Sequence, residues 1–171
     1  MVTSHNLLTF HIDEQLYALA VEPIVQIVSM VTITPIPQAS SVAEGIINVQ
    51  SKAVPVVDLC RHLGKPRRQY RIHTPIILMK IKDHLVGLIV DDVSDVVSLQ
   101  ATSVIHTRDI LPEELRDASL LNGVAYTLEE VALILNPDQL FQPGQVQVLA
   151  KASEFLIELI NSGKLEAWPQ P

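Results

Sequence analysis

An internal repeat constrains the fold of this chain more than any other feature of its sequence. Residues 17–28 lie over residues 86–97 without a gap, and both segments read as an apolar run, an acidic residue and then apolar positions three and four apart. Three further landmarks recur in the same order: residues 10–14 with 79–83, Gly45 with Gly123, and Asp58 with Asn136. Four landmarks in matching order predict a duplicated structural unit.

Both copies carry the pattern of short strands joined by tight turns. Leu8, Phe10 and Ile12 alternate with polar residues before a turn at Asp13-Glu14, which predicts a hairpin with residues 17–21. The same signals predict three further hairpins, formed by residues 76–81 and 85–90, 45–49 and 54–57, and 123–126 and 131–135. Eleven prolines interrupt the chain too often for a long helical bundle. The predicted fold class is therefore all-β, a barrel or a sandwich.

Short helices are predicted between these strands. Proline is tolerated in the first turn of a helix, so Glu22-Pro23 predicts a helix with Ile24, Ile27 and Val28 on one face. The second copy predicts a similar turn capped by Asp91 or Asp92, with three inward valines, Val93, Val96 and Val97. Residues 41–44 have the spacing of a capping box, and residues 112–115 resemble a helix start.

Beyond Pro143-Gly144 the apolar pattern becomes that of an amphipathic helix over residues 146–163. Its stripe contains Leu149, Ala152, Leu156 and Leu159, flanked by Phe155 and Ile160. A lone helix of this length is marginal in water, so we expect the stripe to dock on the protein's own β-structure or on a partner. Pro143-Gly144 favours the former because it lets the chain fold back. Residues 164–171 contain two prolines and are predicted to be a frayed tail.

Composition and charge exclude several classes of function. Hydrophobic residues make up 48% of the chain and charged residues 18%, which argues against disorder, and no apolar run approaches the roughly 20 residues of a membrane span. The net charge of −7 argues against nucleic acid as a partner. The basic cluster of Lys65, Arg67, Arg68 and Arg71 is consistent with a solvated loop or with a phosphate site. A single cysteine and the absence of a visible secretory signal predict a cytoplasmic protein.

The sequence shows no pattern typical of catalysis, metal binding or cofactor binding. Its six histidines are scattered, which favours surface positions over a metal site, and Cys60 follows an apolar strand as a buried structural thiol would. Capping and solvation account for the carboxylate group of Asp91, Asp92 and Asp95 without acid–base catalysis. No glycine-rich phosphate loop is present. We therefore expect no enzymatic activity, no metal and no cofactor.

Three ordered motifs resemble the hallmarks of CheW-like domains. They are the hairpin segment at residues 45–59, the segment at residues 86–93, and the segment that begins at Leu121-Asn122-Gly123 and continues to Leu140. The resemblance covers about residues 7–141 and implies two five-stranded SH3-like barrels, related by a pseudo-two-fold repeat and packed over a shared hydrophobic core. It predicts a CheW-like domain of two β subdomains at residues 7–144, followed by the helix and frayed tail at residues 145–171.

The same resemblance implies a function. CheW-like proteins are non-enzymatic adaptors that join chemoreceptors to a CheA-type histidine kinase in chemotaxis and motility signalling. The implied partners are the regulatory domain of such a kinase and the cytoplasmic tip of a chemoreceptor, with no nucleic acid and no direct membrane insertion. Six positions match the receptor-facing positions of the family: Ile24, Gln26 and Ile27 in the predicted first helix, and Asn48, Gln50 and Ser51 in the hairpin.

Two departures from the family pattern keep alternatives open. The family hairpin usually reads Asn-Leu-Arg-Gly, whereas this chain has Asn48-Val49-Gln50-Ser51, which lacks the permanent charge of arginine and the backbone freedom of glycine. Gln26 stands where a glutamate is usual. One alternative is a CheW-like regulator of a pilus or phototaxis kinase that no longer binds receptors. The other is a small-ligand-binding β-barrel or an enzyme on a β scaffold, which would need a deep pocket with converging polar groups.

Overall fold

The structure, a computed structural model, describes residues 4–36, 43–116 and 119–164. Short strands dominate it, as the sequence predicts. The strands are β1 (Ser4–Ile12), β2 (Gln15–Ala20), β3 (Ile24–Ser29), β4 (Gly45–Val49), β5 (Lys52–Asp58), β6 (Pro75–Ile81), β7 (His84–Ile89), β8 (Asp92–Gln100), β9 (Val104–His106), β10 (Leu121–Tyr126) and β11 (Val131–Leu135). The α-helices are α1 (Leu59–His62), α2 (Thr107–Ile110), α3 (Glu113–Arg116) and α4 (Gln145–Asn161), and 3₁₀ turns cover Ala101–Ser103 and Pro137–Gln139.

The strands form two sheets, and each sheet combines strands from both sequence repeats. The six-stranded sheet has the order β8-β1-β2-β11-β10-β9, and the five-stranded sheet has the order β3-β6-β7-β5-β4. In the six-stranded sheet, the β1–β2 hairpin of the first repeat lies between β8 and the β10–β11 hairpin, which both belong to the second repeat. In the five-stranded sheet, the β6–β7 hairpin of the second repeat lies between β3 and the β4–β5 hairpin, which both belong to the first repeat. The two units of sequence are therefore interleaved in space, and neither sheet could form from one repeat alone.

The strand registers show that residues at equivalent positions of the two repeats form equivalent pairs in the two sheets. Phe10 pairs with Val93 in the six-stranded sheet, and their repeat equivalents, Met79 and Ile24, pair in the five-stranded sheet. A register shift follows at the same place in both pairings. The parallel pairs correspond too, Ile134 with Ala18 in one sheet and Val56 with Gly87 in the other. This agreement confirms the duplication predicted from the sequence.

Both faces of the central strands are buried, and the two faces contact different cores. Along β2, Leu16 and Ala18 pack inside the six-stranded sheet, whereas Tyr17 and Leu19 pack into a core shared between the sheets. The shared core also receives Phe10 and many residues of the five-stranded sheet. Burial on both faces accounts for the nearly continuous apolar character of these strands. The predicted all-β fold of two barrel-like units over a shared core is confirmed.

The C-terminal helix docks on the protein itself. Helix α4 packs against β5 and β7, and Val146 and Leu149 enter the shared core. Leu149 is only 1% exposed. The helix begins and ends within two residues of the predicted 146–163. Of the two docking sites considered for it, the protein's own β-structure and a partner, the structure shows the first. The predicted frayed tail lies, apart from Lys164, outside the described residues.

Two of the predicted short helices are wrong. Residues 24–29 and 92–100 form the edge strands β3 and β8 instead. The spacing of Ile24, Ile27 and Val28 fits one helical face, but pairing with β6 satisfies the backbone of this segment and turns Ile27 outward. A few apolar positions spaced three and four apart do not separate a helix from an irregular edge strand, because tertiary pairing decides between them.

The other local predictions have mixed outcomes. The helix start at residues 112–115 corresponds to α3. Part of the predicted capping box at residues 41–44 lies outside the described residues, and Glu44 leads directly into β4. Within the described part of the chain, no helix is long and apolar enough to cross a membrane.

Candidate partner-binding surface

The first group of predicted site residues lies on β3, at one edge of the five-stranded sheet. Ile24 is half-buried and packs against the shared core. Gln26 is exposed, and Ile27 is 41% exposed. Val25, which the sequence analysis did not single out, is 56% exposed. This edge strand thus exposes a polar side chain, Gln26, between two apolar ones, Val25 and Ile27.

The second group lies at the tip of the β4–β5 hairpin. Val49 pairs with Lys52, so Gln50 and Ser51 form a two-residue turn, and both are exposed. Both residues have positive φ, 50° and 65°, as a type I′ turn requires. Serine therefore adopts here a conformation that suits glycine better. The turn presents neutral side chains followed by the exposed positive charge of Lys52.

Asn48 is the third hairpin residue, and its side chain is poorly satisfied. Its Oδ1 atom is buried and has no hydrogen-bond partner among the described residues. A buried carbonyl oxygen without a donor costs about 1–3 kcal/mol, and such groups in folded proteins call for an explanation. Because this atom is buried, a donor from a bound partner would reach it only after a shift of the hairpin tip that exposes it.

The two groups belong to one barrel-like unit but are not adjacent strands. β3 and β4 form opposite edges of the five-stranded sheet. The chain after β3 returns to β4, where Thr34 and Ile46 form an isolated bridge with N–O distances of 2.8 Å in both directions. Val28 of β3 and Val49 of β4 also pack against the same interior cluster. The sheet therefore curls and brings its two edges towards each other.

A glycine makes this closure possible. A Cβ atom on Gly45 would lie 2.3 Å from the carbonyl oxygen of Thr34. Its repeat equivalent Gly123 has the same role, since a Cβ there would lie 2.5 Å from the carbonyl oxygen of Ile105 in β9. These two landmarks of the repeat are thus positions where neighbouring backbones approach too closely for any side chain.

Three members of the basic cluster form ion pairs within the protein, namely Lys65, Arg67 and Arg68. Arg68 contacts both Asp13, in the β1–β2 turn, and Asp91, after β7, with 3.0 Å between its guanidinium and Asp91. Lys65 lies 3.5 Å from Asp13, and Arg67 pairs with Glu44 at 3.1 Å. The negative charge of Asp91 is the main cause of the raised pKa of Arg68. The sequence left two interpretations of this cluster open, a solvated loop and a phosphate site. These contacts favour a loop held in place by ion pairs with carboxylates.

A cavity of about 450 Å³ lies beneath this loop, lined by residues that include Asp58, Arg68, Tyr70 and Asp91. Tyr70 donates its hydroxyl to Asp58 at 2.7 Å, and burial together with this carboxylate raises the pKa of Tyr70 far above its ordinary value. Burial is also the main cause of the raised pKa of the Cys60 thiol. Four of the polar side chains that line this cavity form pairs, Tyr70 with Asp58 and Arg68 with Asp91. Among the described residues no cluster of His, Cys, Asp or Glu could hold a metal ion.

Comparison with known proteins identifies the family. The family model of the CheW-like domain matches residues 6–145. The chain belongs to the CheW-like family. A chemotaxis protein CheW from Rhizobium meliloti (strain 1021) is 27% identical over 136 residues, which are 80% of this chain and 86% of that protein. A second, from Thermotoga maritima, is 36% identical over 94 residues, 55% of this chain and 62% of that protein.

A solved structure also supports membership of the CheW-like family. The crystal structure of the scaffolding protein TtCheW from Thermoanaerobacter tengcongensis superposes with a TM-score of 0.72 at 29% identity, covering 84% of this chain and 96% of that one. The predictions of a CheW-like domain and of a chemotaxis adaptor are confirmed by these matches. The six candidate site residues stay predictions, since family membership does not test single positions.

Proposed function

We propose that this CheW-like protein is a non-enzymatic cytoplasmic adaptor that binds the regulatory domain of a CheA-type histidine kinase and the cytoplasmic tip of a chemoreceptor. The observation that carries the receptor-binding part is the exposure of Val25 and Ile27 on β3 and of Gln50 and Ser51 in the hairpin turn, where the Oδ1 of Asn48 has no hydrogen-bond partner among the described residues. A helix in the receptor tip would pack apolar side chains against Val25 and Ile27.

The kinase-binding part is supported by family membership rather than by a particular side chain. Transient adaptor interfaces are small, at or below about 1,200 Å², and micromolar affinity corresponds to about −8 kcal/mol. Isothermal calorimetry between the full chain and the regulatory domain of the kinase from the same organism should therefore give a dissociation constant in the micromolar range. The absence of heat and of co-elution at high micromolar concentration would contradict this part.

The receptor-binding part is tested by paired variants at positions related by the repeat. Ile27 on β3 and Val96 on β8 are repeat equivalents and are both exposed, at 41% and 53%. Ile27→Ser should weaken binding to the receptor tip several-fold, whereas Val96→Ser should leave it unchanged. Equal effects of the two variants would show that the surface on β3 is not the receptor site.

A variant in the hairpin turn distinguishes an adaptor that binds receptors from a regulator that no longer binds them. If Gln50 stands in a receptor-contacting position, Gln50→Arg should change receptor affinity and leave the free energy of unfolding within about 0.5 kcal/mol, because the turn is exposed. Kinase binding without measurable receptor binding, in the wild type and in Gln50→Arg alike, would instead support a regulator that no longer binds receptors.

A further inference from the structure

A cavity of about 750 Å³ lies on the six-stranded sheet, between β8 and the turn that joins β10 to β11. Its floor is apolar, since it includes Leu16, Val97 and Leu99, which pack in or against the interior cluster of this sheet. Leu128 lines the cavity as well and is fully exposed at the turn, so the apolar surface continues out of the cavity. A surface of this size suits a short polypeptide segment that lies along it.

The charged side chains around this cavity make its rim negative. Asp95 on β8 and Glu129 and Glu130 at the turn line the cavity, and no lysine or arginine among the described residues does. Asp95 and Glu129 form no ion pair within the described part of the chain. Glu130 has one partner, His11, whose Nε2 lies 3.4 Å from the carboxylate and which is charged only when protonated. An apolar floor with an acidic rim is complementary to a segment that combines aliphatic and basic side chains.

The internal repeat shows how this cavity differs from the surface formed by β3 and the β4–β5 turn. Asp95 of β8 is the repeat equivalent of Gln26 of β3, and the β10–β11 turn is the equivalent of the β4–β5 turn. The β4–β5 turn ends in the positive charge of Lys52, whereas the β10–β11 turn has the negative charge of Glu130 at that position. The two surfaces are thus built from the same pair of elements but differ in charge, so they select different partners.

We propose that this cavity binds a basic segment of a protein partner. An aliphatic side chain of the segment lies on the apolar floor, and its lysine or arginine side chains pair with Asp95 and Glu129. The alkyl part of each basic side chain packs on Leu99 and Leu128 while its charged end stays at the rim. The site goes beyond the proposed function and does not depend on it, because the six candidate receptor-binding residues lie on the five-stranded sheet and its β4–β5 turn.

A peptide titration of the full chain, followed by heteronuclear NMR, tests the site. The probe is an acetylated and amidated heptapeptide of alternating lysine and leucine, and the control peptide has glutamate in place of each lysine. We expect the lysine peptide to shift the amide signals of residues 94–99 and 126–130, and the glutamate peptide to shift none of them. The affinity for the lysine peptide should fall at least about threefold between about 25 and about 200 mM NaCl, because salt screens the charges at the rim.

Two matched pairs of variants separate the charged and the apolar parts of the site. Glu129→Lys should weaken binding of the lysine peptide at least about fivefold, whereas Glu158→Lys, at an exposed carboxylate on α4, should leave it unchanged. Leu128→Ser should also weaken binding, and Leu115→Ser, at an exposed leucine in α3, should not. All four positions are exposed, so we expect each variant to fold.

Four results would overturn the proposal. The first is the absence of any shift with the lysine peptide at millimolar concentration. The second is equal binding of the lysine and glutamate peptides, which would show that the acidic rim does not select the ligand. The third is an equal loss of binding in Glu129→Lys and Glu158→Lys, which would show that the peptide responds only to the net charge of −7. The fourth is a set of shifts that leaves out residues 94–99 and 126–130, which would place the bound peptide elsewhere.

Discussion

The guanidinium of Arg68 lies 3.0 Å from the carboxylate of Asp91 and also contacts Asp13 on the other sheet. Asp91 accepts a second hydrogen bond, from the backbone N–H of Asp13 at 2.6 Å. The loop after α1 thus connects the β1–β2 turn of the six-stranded sheet to the end of β7 in the five-stranded sheet. These contacts tie the two sheets together at their polar rim, outside the shared apolar core.

Loss of this tie should lower stability in a salt-dependent manner. Asp91→Asn should reduce the free energy of unfolding by about 1 kcal/mol, since the carboxylate makes charge-assisted bonds at a half-exposed site. The difference from the wild type should shrink in 1 M NaCl, where the Debye length is about 3 Å. Asp109→Asn is the control, because Asp109 is exposed and lies 3.9 Å from Arg108. Urea titrations at low salt and in 1 M NaCl measure the free energy of unfolding of each variant. Equal losses of stability in Asp91→Asn and Asp109→Asn would contradict this prediction.

The β4–β5 turn should be open to stabilisation. Gln50 and Ser51 both have positive φ, where a residue other than glycine costs about 1 kcal/mol or more. Replacement by the preferred Asn-Gly pair, Gln50→Asn with Ser51→Gly, should raise the free energy of unfolding by about 1 kcal/mol. Leu128→Asn with Glu129→Gly is the control, since that loop contains no residue with positive φ. A urea midpoint that falls for the first pair would show that the turn is not strained.

Stability should decrease at high pH through Tyr70. Burial first, and then its hydrogen bond to Asp58, raise the pKa of Tyr70 above the value of about 10 in an unfolded chain. At about pH 10 and above, the unfolded chain loses this proton while the folded protein keeps it, so the free energy of unfolding falls as pH rises. Tyr70→Phe should show a shallower fall between about pH 9 and 11. Tyr126→Phe, at an exposed ring, should keep the wild-type slope.

The docked face of α4 should contribute strongly to stability. Leu149 is 1% exposed and packs in the shared core. Leu149→Ala should therefore cost about 2–4 kcal/mol, through lost burial and the cavity that remains. Leu115→Ala, at a leucine that is 55% exposed in α3, should change stability by less than about 0.5 kcal/mol. Thermal unfolding measures both variants. Equal losses of stability in Leu149→Ala and Leu115→Ala would show that the docking of α4 does not stabilise the strands.

Much of this fold could be predicted because its hairpins are local. The alternation of Leu8, Phe10 and Ile12, followed by a two-residue turn at Asp13-Glu14, is enough to set the register of β1 against β2, since a slip by one residue would turn these three side chains away from the shared core. The amphipathic period of α4 predicted its extent to within two residues. Of the predicted stripe only Leu149 is buried, together with Val146 and Ser153, so the docked face is rotated relative to the prediction. Motif order was sufficient to predict the family.

The tertiary structure decided what depends on distant partners. Residues 24–29 and 92–100 are strands because each pairs with a hairpin from the other repeat, and a pairing over such a separation leaves no local signal. The exposure of Val25 and Ile27 follows from the pairing of β3 with β6, and the ion pairs of Arg68 with Asp13 and Asp91 follow from the proximity of the two repeats. The sequence by itself determined which segments form hairpins and the C-terminal helix, because neighbouring residues carry those preferences. Which repeat each edge strand joins depends on the shared core, where side chains far apart in sequence are buried together.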